Sequence, residues 1–203
     1  MQRVHACHAA LAAVFLVSAC GGGGGSSSAP VDPTAPTFNS LVAESQAFYG
    51  AYAKGGKLSD NLTTQMPIAG NFTYQGTALL WTGDKIKATL DKPDTESLVA
   101  AGRLDMAANI AANTVTGTVT DFRSAPGQPM VTGTVAISGT IADNGYVGTP
   151  TGTLNIGVGR GHVTDGAVIG HFIGDYAKGT AGLVSGNLND GADTFMMTYT
   201  GKR

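Results

Sequence analysis

The sequence predicts an all-β fold: a soluble up-and-down antiparallel β-barrel of about eight strands, preceded by a signal peptide, a flexible tether and one short amphipathic helix. Three observations predict it. From Met66 onward, apolar and polar residues alternate with a period of two. Asn-Gly, Asp-Gly and Pro-Gly pairs separate the alternating runs at short intervals. No helical crossover lies between the runs, as parallel strands would require.

Residues 1–19 read as an export leader. Arg3 supplies a positive start, and Ala9 to Val17 is an apolar run shorter than the roughly 20 residues that span a bilayer. Val17-Ser18-Ala19-Cys20 resembles the lipobox of bacterial lipoproteins. The expectation is cleavage between Ala19 and Cys20, with acyl chains on Cys20; a single chain binds a membrane only marginally, and further chains make the attachment stable. Gly21 to Gly25, Ser26 to Ser28, then Pro30, Pro33 and Pro36 form a segment that cannot bury a core, so residues 20–37 read as a tether.

Residues 38–56 read as the helix. Phe38, Leu41, Val42, Ser45, Phe48, Tyr49 and Tyr52 recur at helical spacing, with Asn39 or Ser40 as the cap and Gly55-Gly56 as the stop. Such a stripe points to packing on one end of the barrel.

The barrel is placed at residues 66–203. Ile68, Gly70, Phe72 and Tyr74 share one face of its opening run. Leu104, Met106, Ala108 and Ile110 oppose Arg103, Asp105 and Asn109. Val131, Gly133, Val135, Ile137, Gly139 and Ile141 make the cleanest strand, and Phe195, Met197 and Tyr199 a later one. Turns are expected at Thr82-Gly83-Asp84, Lys92-Pro93-Asp94, Ala112-Asn113, Ala125-Pro126-Gly127, Asp143-Asn144-Gly145, Thr164-Asp165-Gly166 and Asn189-Asp190-Gly191. Gly-Thr pairs recur at Gly76, Gly117, Gly133, Gly139 and Gly152, as expected where Gly relieves crowding between coiled strands. The wet faces are Thr, Ser, Asn and Asp, without the apolar band and aromatic girdles of a membrane-embedded barrel.

Three stretches resemble the β-barrel domain of transferrin-binding protein B and related surface lipoproteins of Gram-negative bacteria. They are Met66 to Ala78, Ala101 to Val119, and the glycine-and-aromatic run Gly170-His171-Phe172-Ile173-Gly174 with Ala177, Ala181 and Gly182. Ile173 and Asp175 depart from the family's usual aromatic and proline, and only one barrel is present. The resemblance implies a lipid-anchored domain at the outer membrane, on the cell surface. It carries over no ligand residue and does not by itself imply transferrin binding.

Composition bears on partners. The formal net charge is −2 and no basic run occurs, which argues against nucleic acid. Cys7 falls in the leader, so Cys20 is the sole mature cysteine and no disulfide framework exists. His162 and His171 lack a paired nucleophile, and Met196-Met197 and the turn aspartates read as core and hairpin residues, so neither an enzyme nor a metal or other cofactor is expected. The remaining reading is a monomeric surface module that captures a host or environmental protein or haem and serves iron or haem acquisition. The alternative is a structural envelope lipoprotein without a dedicated ligand. Candidate ligand residues, chosen as aromatic or charged groups near turns, are Trp81, Phe122, Arg123, Tyr146, Asp175 and Tyr176.

Overall fold

A computed structural model describes residues 34–83, 89–91, 95–189 and 193–203. The leader, Cys20, most of the tether, the turn at Lys92-Pro93-Asp94, and Asp84, Asp190 and Gly191 of two other expected turns lie outside the described residues. Eight strands follow one helix: α1 (Phe38–Tyr52), β1 (Asn71–Thr82), β2 (Ala100–Asn109), β3 (Thr114–Ser124), β4 (Val131–Ala142), β5 (Gly145–Ile156), β6 (Val163–Ile173), β7 (Gly179–Leu188) and β8 (Asp193–Lys202). Each strand pairs with the next, antiparallel, and β8 returns to β1 to close the barrel, with Thr77 opposite Thr200 and Leu79 opposite Thr198. Pro36–Arg203 form one compact unit.

Side-chain parity fills the interior, as an eight-stranded barrel allows. Tyr74, Leu104, Met106, Val135, Ile137, Tyr146, Phe172, Val184, Phe195, Met197 and Tyr199 all point inward and are buried. In β4 every expected apolar position faces in and every expected polar one faces out or lies half-covered. Gly76 permits close approach at the closing seam: a Cβ there would lie 2.0 Å from the Thr200 carbonyl oxygen.

Two bulges depart from strict alternation. In β3 the pairing slips between Ala101–Arg123 and Arg103–Thr120, with Asp121 at φ 50°. The extra residue reverses parity and turns Phe122 inward. In β6 the slip falls between Thr164 and Ala167, with Asp165 at φ 45°. The expected turn at Thr164-Asp165-Gly166 is therefore a bulge inside a strand, because the left-handed Asp serves a bulge as readily as a hairpin. The β5–β6 link lies at residues 157–162 instead.

Thr37, not Asn39 or Ser40, caps α1. The Ser40 amide donates to Thr37 Oγ1 at 3.1 Å, and the Thr37 amide donates to Ser40 Oγ at 2.9 Å. The helix stops at Tyr52, short of the expected residue 56, and Gly55 and Gly56 form a tight turn closed by paired Lys54–Lys57 backbone bonds. Its apolar stripe packs on the outer wall of the barrel rather than on an end. Phe38, Leu41 and Val42 cover Leu79, Trp81, Leu98 and Ala101. Phe48, Tyr49 and Tyr52 cover Leu58, Ile173 and Ala181. The outward face of β1 is apolar at Leu79 and Trp81, which makes that wall a burial site. Each large side chain buried there contributes about 1.5–3 kcal/mol. Arg103 Nη1 and Glu44 Oε2, 2.6 Å apart, close the flank in a half-exposed ion pair. No described helix is long and apolar enough to cross a membrane.

Candidate functional site

The barrel has two ends. The near end carries the β1–β2, β3–β4, β5–β6 and β7–β8 links, and the chain arrives there: Arg123 Nε donates to the Pro36 carbonyl at 2.9 Å. The far end carries the β2–β3, β4–β5 and β6–β7 links and the C-terminus.

Four of the six sequence-derived candidates are not displayed on loops. Trp81 lies under α1 and is buried, because outward parity near the end of β1 meets the helix. Phe122 is turned into the core by the bulge. Tyr146 is the second residue of β5 and faces inward. Arg123 is half-buried and spent on Pro36.

Asp175 and Tyr176 remain together, exposed on the β6–β7 link. The link is strained and pinned. Gly174, Tyr176 and Ala177 have φ 72°, 56° and 56°, so two successive non-glycine residues occupy the left-handed region. Thr63 Oγ1 donates to the Gly174 carbonyl at 2.6 Å, and the Gly174 amide donates to the Asn61 carbonyl at 2.9 Å. Tyr74 Oη donates to the Ala177 carbonyl at 2.9 Å, and the Arg203 amide donates to the Lys178 carbonyl at 3.1 Å. Ala177 plugs the interior while Tyr176 stands 57% exposed.

Ile68 joins Tyr176 at the far end, 99% exposed. Alternation placed it inward with Phe72 and Tyr74, but β1 starts at Asn71. Gly70, at φ 120°, breaks the run, and its carbonyl accepts from the Ile110 amide at the β2–β3 turn. No sequence signal separated Ile68 from the strand except that glycine. The far end thus exposes Ile68 before β1, Asp143 on the β4–β5 link, and Asp175, Tyr176 and Lys178 on the β6–β7 link.

The interior beneath holds a polar chain. Tyr199 Oη donates to Tyr146 Oη at 2.8 Å, Tyr146 Oη lies 2.7 Å from Thr180 Oγ1, and Thr180 Oγ1 donates to the His171 carbonyl at 3.1 Å. Taken in one direction the chain satisfies every hydroxyl. Burial raises both tyrosines well above the usual phenol range. Tyr74 is pushed up to about 12 by burial, against a lowering effect of the Arg203 guanidinium. His171 lies half-buried in β6, next to the inward Phe172, and burial lowers its pKa. Among the described residues no group of His, Cys, Asp and Glu is arranged to hold a metal ion.

The row that organises this interior is Tyr146, Gly170, Gly182 and Tyr199, in register across β5 to β8. It draws together the glycine-and-aromatic run of β6 and the glycine of β7 that the sequence resemblance rested on. Residues 66–203 match the family described as the C-lobe and N-lobe beta barrels of Tf-binding protein B. The chain belongs to this family.

In this member of the Tf-binding protein B barrel family, Gly170 of β6 and Gly182 of β7 form the floor on which two tyrosines lie. Solved structures similar to the chain include a double mutant of the vaccine antigen transferrin-binding protein B from Haemophilus parasuis Hp5. The identity is 18%, 68% of this chain and 26% of that one are covered, and the TM-score is 0.47. Transferrin-binding protein B from serogroup B Neisseria meningitidis is 16% identical over 68% of this chain and 28% of that one, with a TM-score of 0.42. A structure described as a surface lipoprotein is 12% identical over 70% of this chain and 64% of that one, with a TM-score of 0.43. The chain therefore spans 26% of the length of the Haemophilus parasuis protein. No curated protein matches it.

Proposed function

We propose that the chain is a lipid-anchored binding module of the bacterial outer membrane, cleaved before Cys20, whose far rim captures a protein ligand at the cell surface. The observation that carries this reading is Tyr176: an exposed aromatic on a left-handed, hydrogen-bonded link, at the end opposite Pro36. Holding two non-glycine residues in that region costs about 1–3 kcal/mol each. Pinning a rigid aromatic in this way lowers the ordering cost of binding. Ile68 supplies a second apolar contact, and Asp175 and Lys178 a polar margin. The family supports a host iron carrier such as transferrin as the first ligand to test, and a role in iron or haem acquisition.

The test is capture by whole cells displaying the acylated protein, offered transferrin, mixed serum proteins, haem and iron complexes. Specific retention that falls at least about tenfold in Tyr176→Ala and Ile68→Ser variants, the loss of one anchoring contact each, supports the reading. Resistance of the barrel to protease added outside intact cells, with no ligand retained, favours a structural envelope lipoprotein.

A further inference from the structure

The near end ends in an apolar tip that the binding rim does not use. Residues 156–159 fold into a tight hairpin. The Ile156 amide donates to the Gly159 carbonyl at 3.2 Å, and the Gly159 amide donates to the Ile156 carbonyl at 3.1 Å. Gly157, at φ 63°, takes the first central position of the turn, so Val158 occupies its apex. The tip is braced from the side, where the Gly157 amide donates to the Met130 carbonyl at 2.8 Å.

Val158 is wholly exposed, at 106%, and Met130 beside it is 68% exposed. A two-residue hairpin apex is ordinarily polar, because nothing there can be buried. Arg160, two residues past Val158 and just beyond the turn-closing Gly159, is also exposed. A projecting valine and methionine with an adjacent guanidinium suit the boundary of a lipid layer. There the apolar groups enter the acyl region and the cation meets phosphate.

The position of the chain start selects that occupant. The helix cap Thr37 and Pro36 sit at this same end, and residues 21–36 separate them from Cys20. A Gly/Ser/Pro chain of that length spans about 20–25 Å as a coil. A lipid on Cys20 therefore keeps the near end within reach of the membrane at high effective concentration, where a weak contact suffices. Ile68 and Tyr176 stand a full strand length further away.

We propose that the near end docks on the lipid surface through Val158 and Met130, with Arg160 at the headgroups, and so orients the far rim outward. This rests on the anchor at Cys20.

The test uses the full mature protein, reconstituted in vesicles of phosphatidylethanolamine and phosphatidylglycerol. One variant, Val158→Cys, carries an environment-sensitive fluorophore; a second, Asp143→Cys, carries it at the far rim. Mass spectrometry of Cys20 and vesicle flotation read the anchor separately. The expected result is an apolar emission at position 158, quenched by nitroxides on the acyl chains, and an aqueous emission at position 143. Adding Met130→Asp to the first variant should lower its docked fraction about tenfold, the loss of one buried apolar side chain. Equal aqueous emission from both labels on acylated, floating protein overturns docking and leaves the anchor standing. An unmodified Cys20 on protein that does not float overturns both.

Discussion

The Tyr199 hydroxyl donates to the Tyr146 hydroxyl at 2.8 Å, directly above two glycines, Gly170 and Gly182, that lie between them in register. The glycines leave the volume that the rings fill. A Cβ at Gly170 would sit 2.2 Å from Tyr146 Cζ, and one at Gly182 would sit 2.2 Å from Tyr199 Oη. Packing and hydrogen bonding in the barrel interior are therefore one arrangement, and it can be tested from either side.

Removing the middle hydroxyl should cost more than removing the terminal one. Tyr146→Phe leaves the buried Tyr199 donor without an acceptor, at about 1–3 kcal/mol. Tyr199→Phe removes only the end of the chain and costs about 1 kcal/mol. Urea denaturation of the two variants gives the order; a larger loss in Tyr199→Phe would contradict it.

Gly170→Ala should destabilise the barrel by about 3 kcal/mol, because the Tyr146 ring cannot yield without breaking its bonds. Gly50→Ala is the contrasting substitution. It lies in α1, and a methyl added there would meet nothing within 4 Å, so it should stabilise by about 0.5–1 kcal/mol. Thermal unfolding of both reads the opposite signs.

Leu41→Asp should lift α1 from the wall. Trp81 is the chain's single tryptophan and lies buried beneath Leu41's cluster. Its emission should move to longer wavelength while the far-ultraviolet strand signal persists. Joint loss of both signals would mean that the helix is required for the barrel itself.

Acid should destabilise the protein through His171. Burial holds its folded pKa below the ordinary value of 6.5, and its Nδ1 has no hydrogen-bond partner. The unfolded chain therefore takes up a proton first as pH falls. Stability is complete above about 6.5 and declines below it. His171→Leu should flatten the stability profile below about pH 6.5, measured by urea midpoints.

Alkali should act through Tyr74. Its folded value of about 12 lies above the ordinary 10.0, so the unfolded chain loses its proton first. Stability is intact below about pH 10 and falls as pH rises toward about 12. Tyr74→Phe should flatten the decline between about pH 10 and 12, measured by urea midpoints.

How much of this was legible in the sequence depended on parity. β4 reads correctly residue by residue, since its alternation is unbroken. Phe122 does not, because the bulge at Asp121 reverses parity without leaving a periodic trace. Thr164-Asp165-Gly166 has the chemistry of a turn, and the left-handed Asp165 is shared by turns and bulges. The helical stripe was plain, but its docking place depended on the outward Leu79 and Trp81, which resemble inward residues in a strand apolar on both faces. At the far rim, Asp175 and Tyr176 could be chosen from the turn alone. Ile68 could not, because a single glycine decides where the strand begins.

The closing ladder between β1 and β8 has a consequence for how the chain is made. Nothing can satisfy the free edge of β1 on that side until residues 195–202 have emerged. Synthesis therefore proceeds with two open sheet edges, and the slowest contact is the one that joins the ends of the domain. A premature stop before β8 would yield an open seven-stranded sheet with sticky edges rather than a smaller barrel, so the last strand acts as the quality checkpoint for the whole molecule.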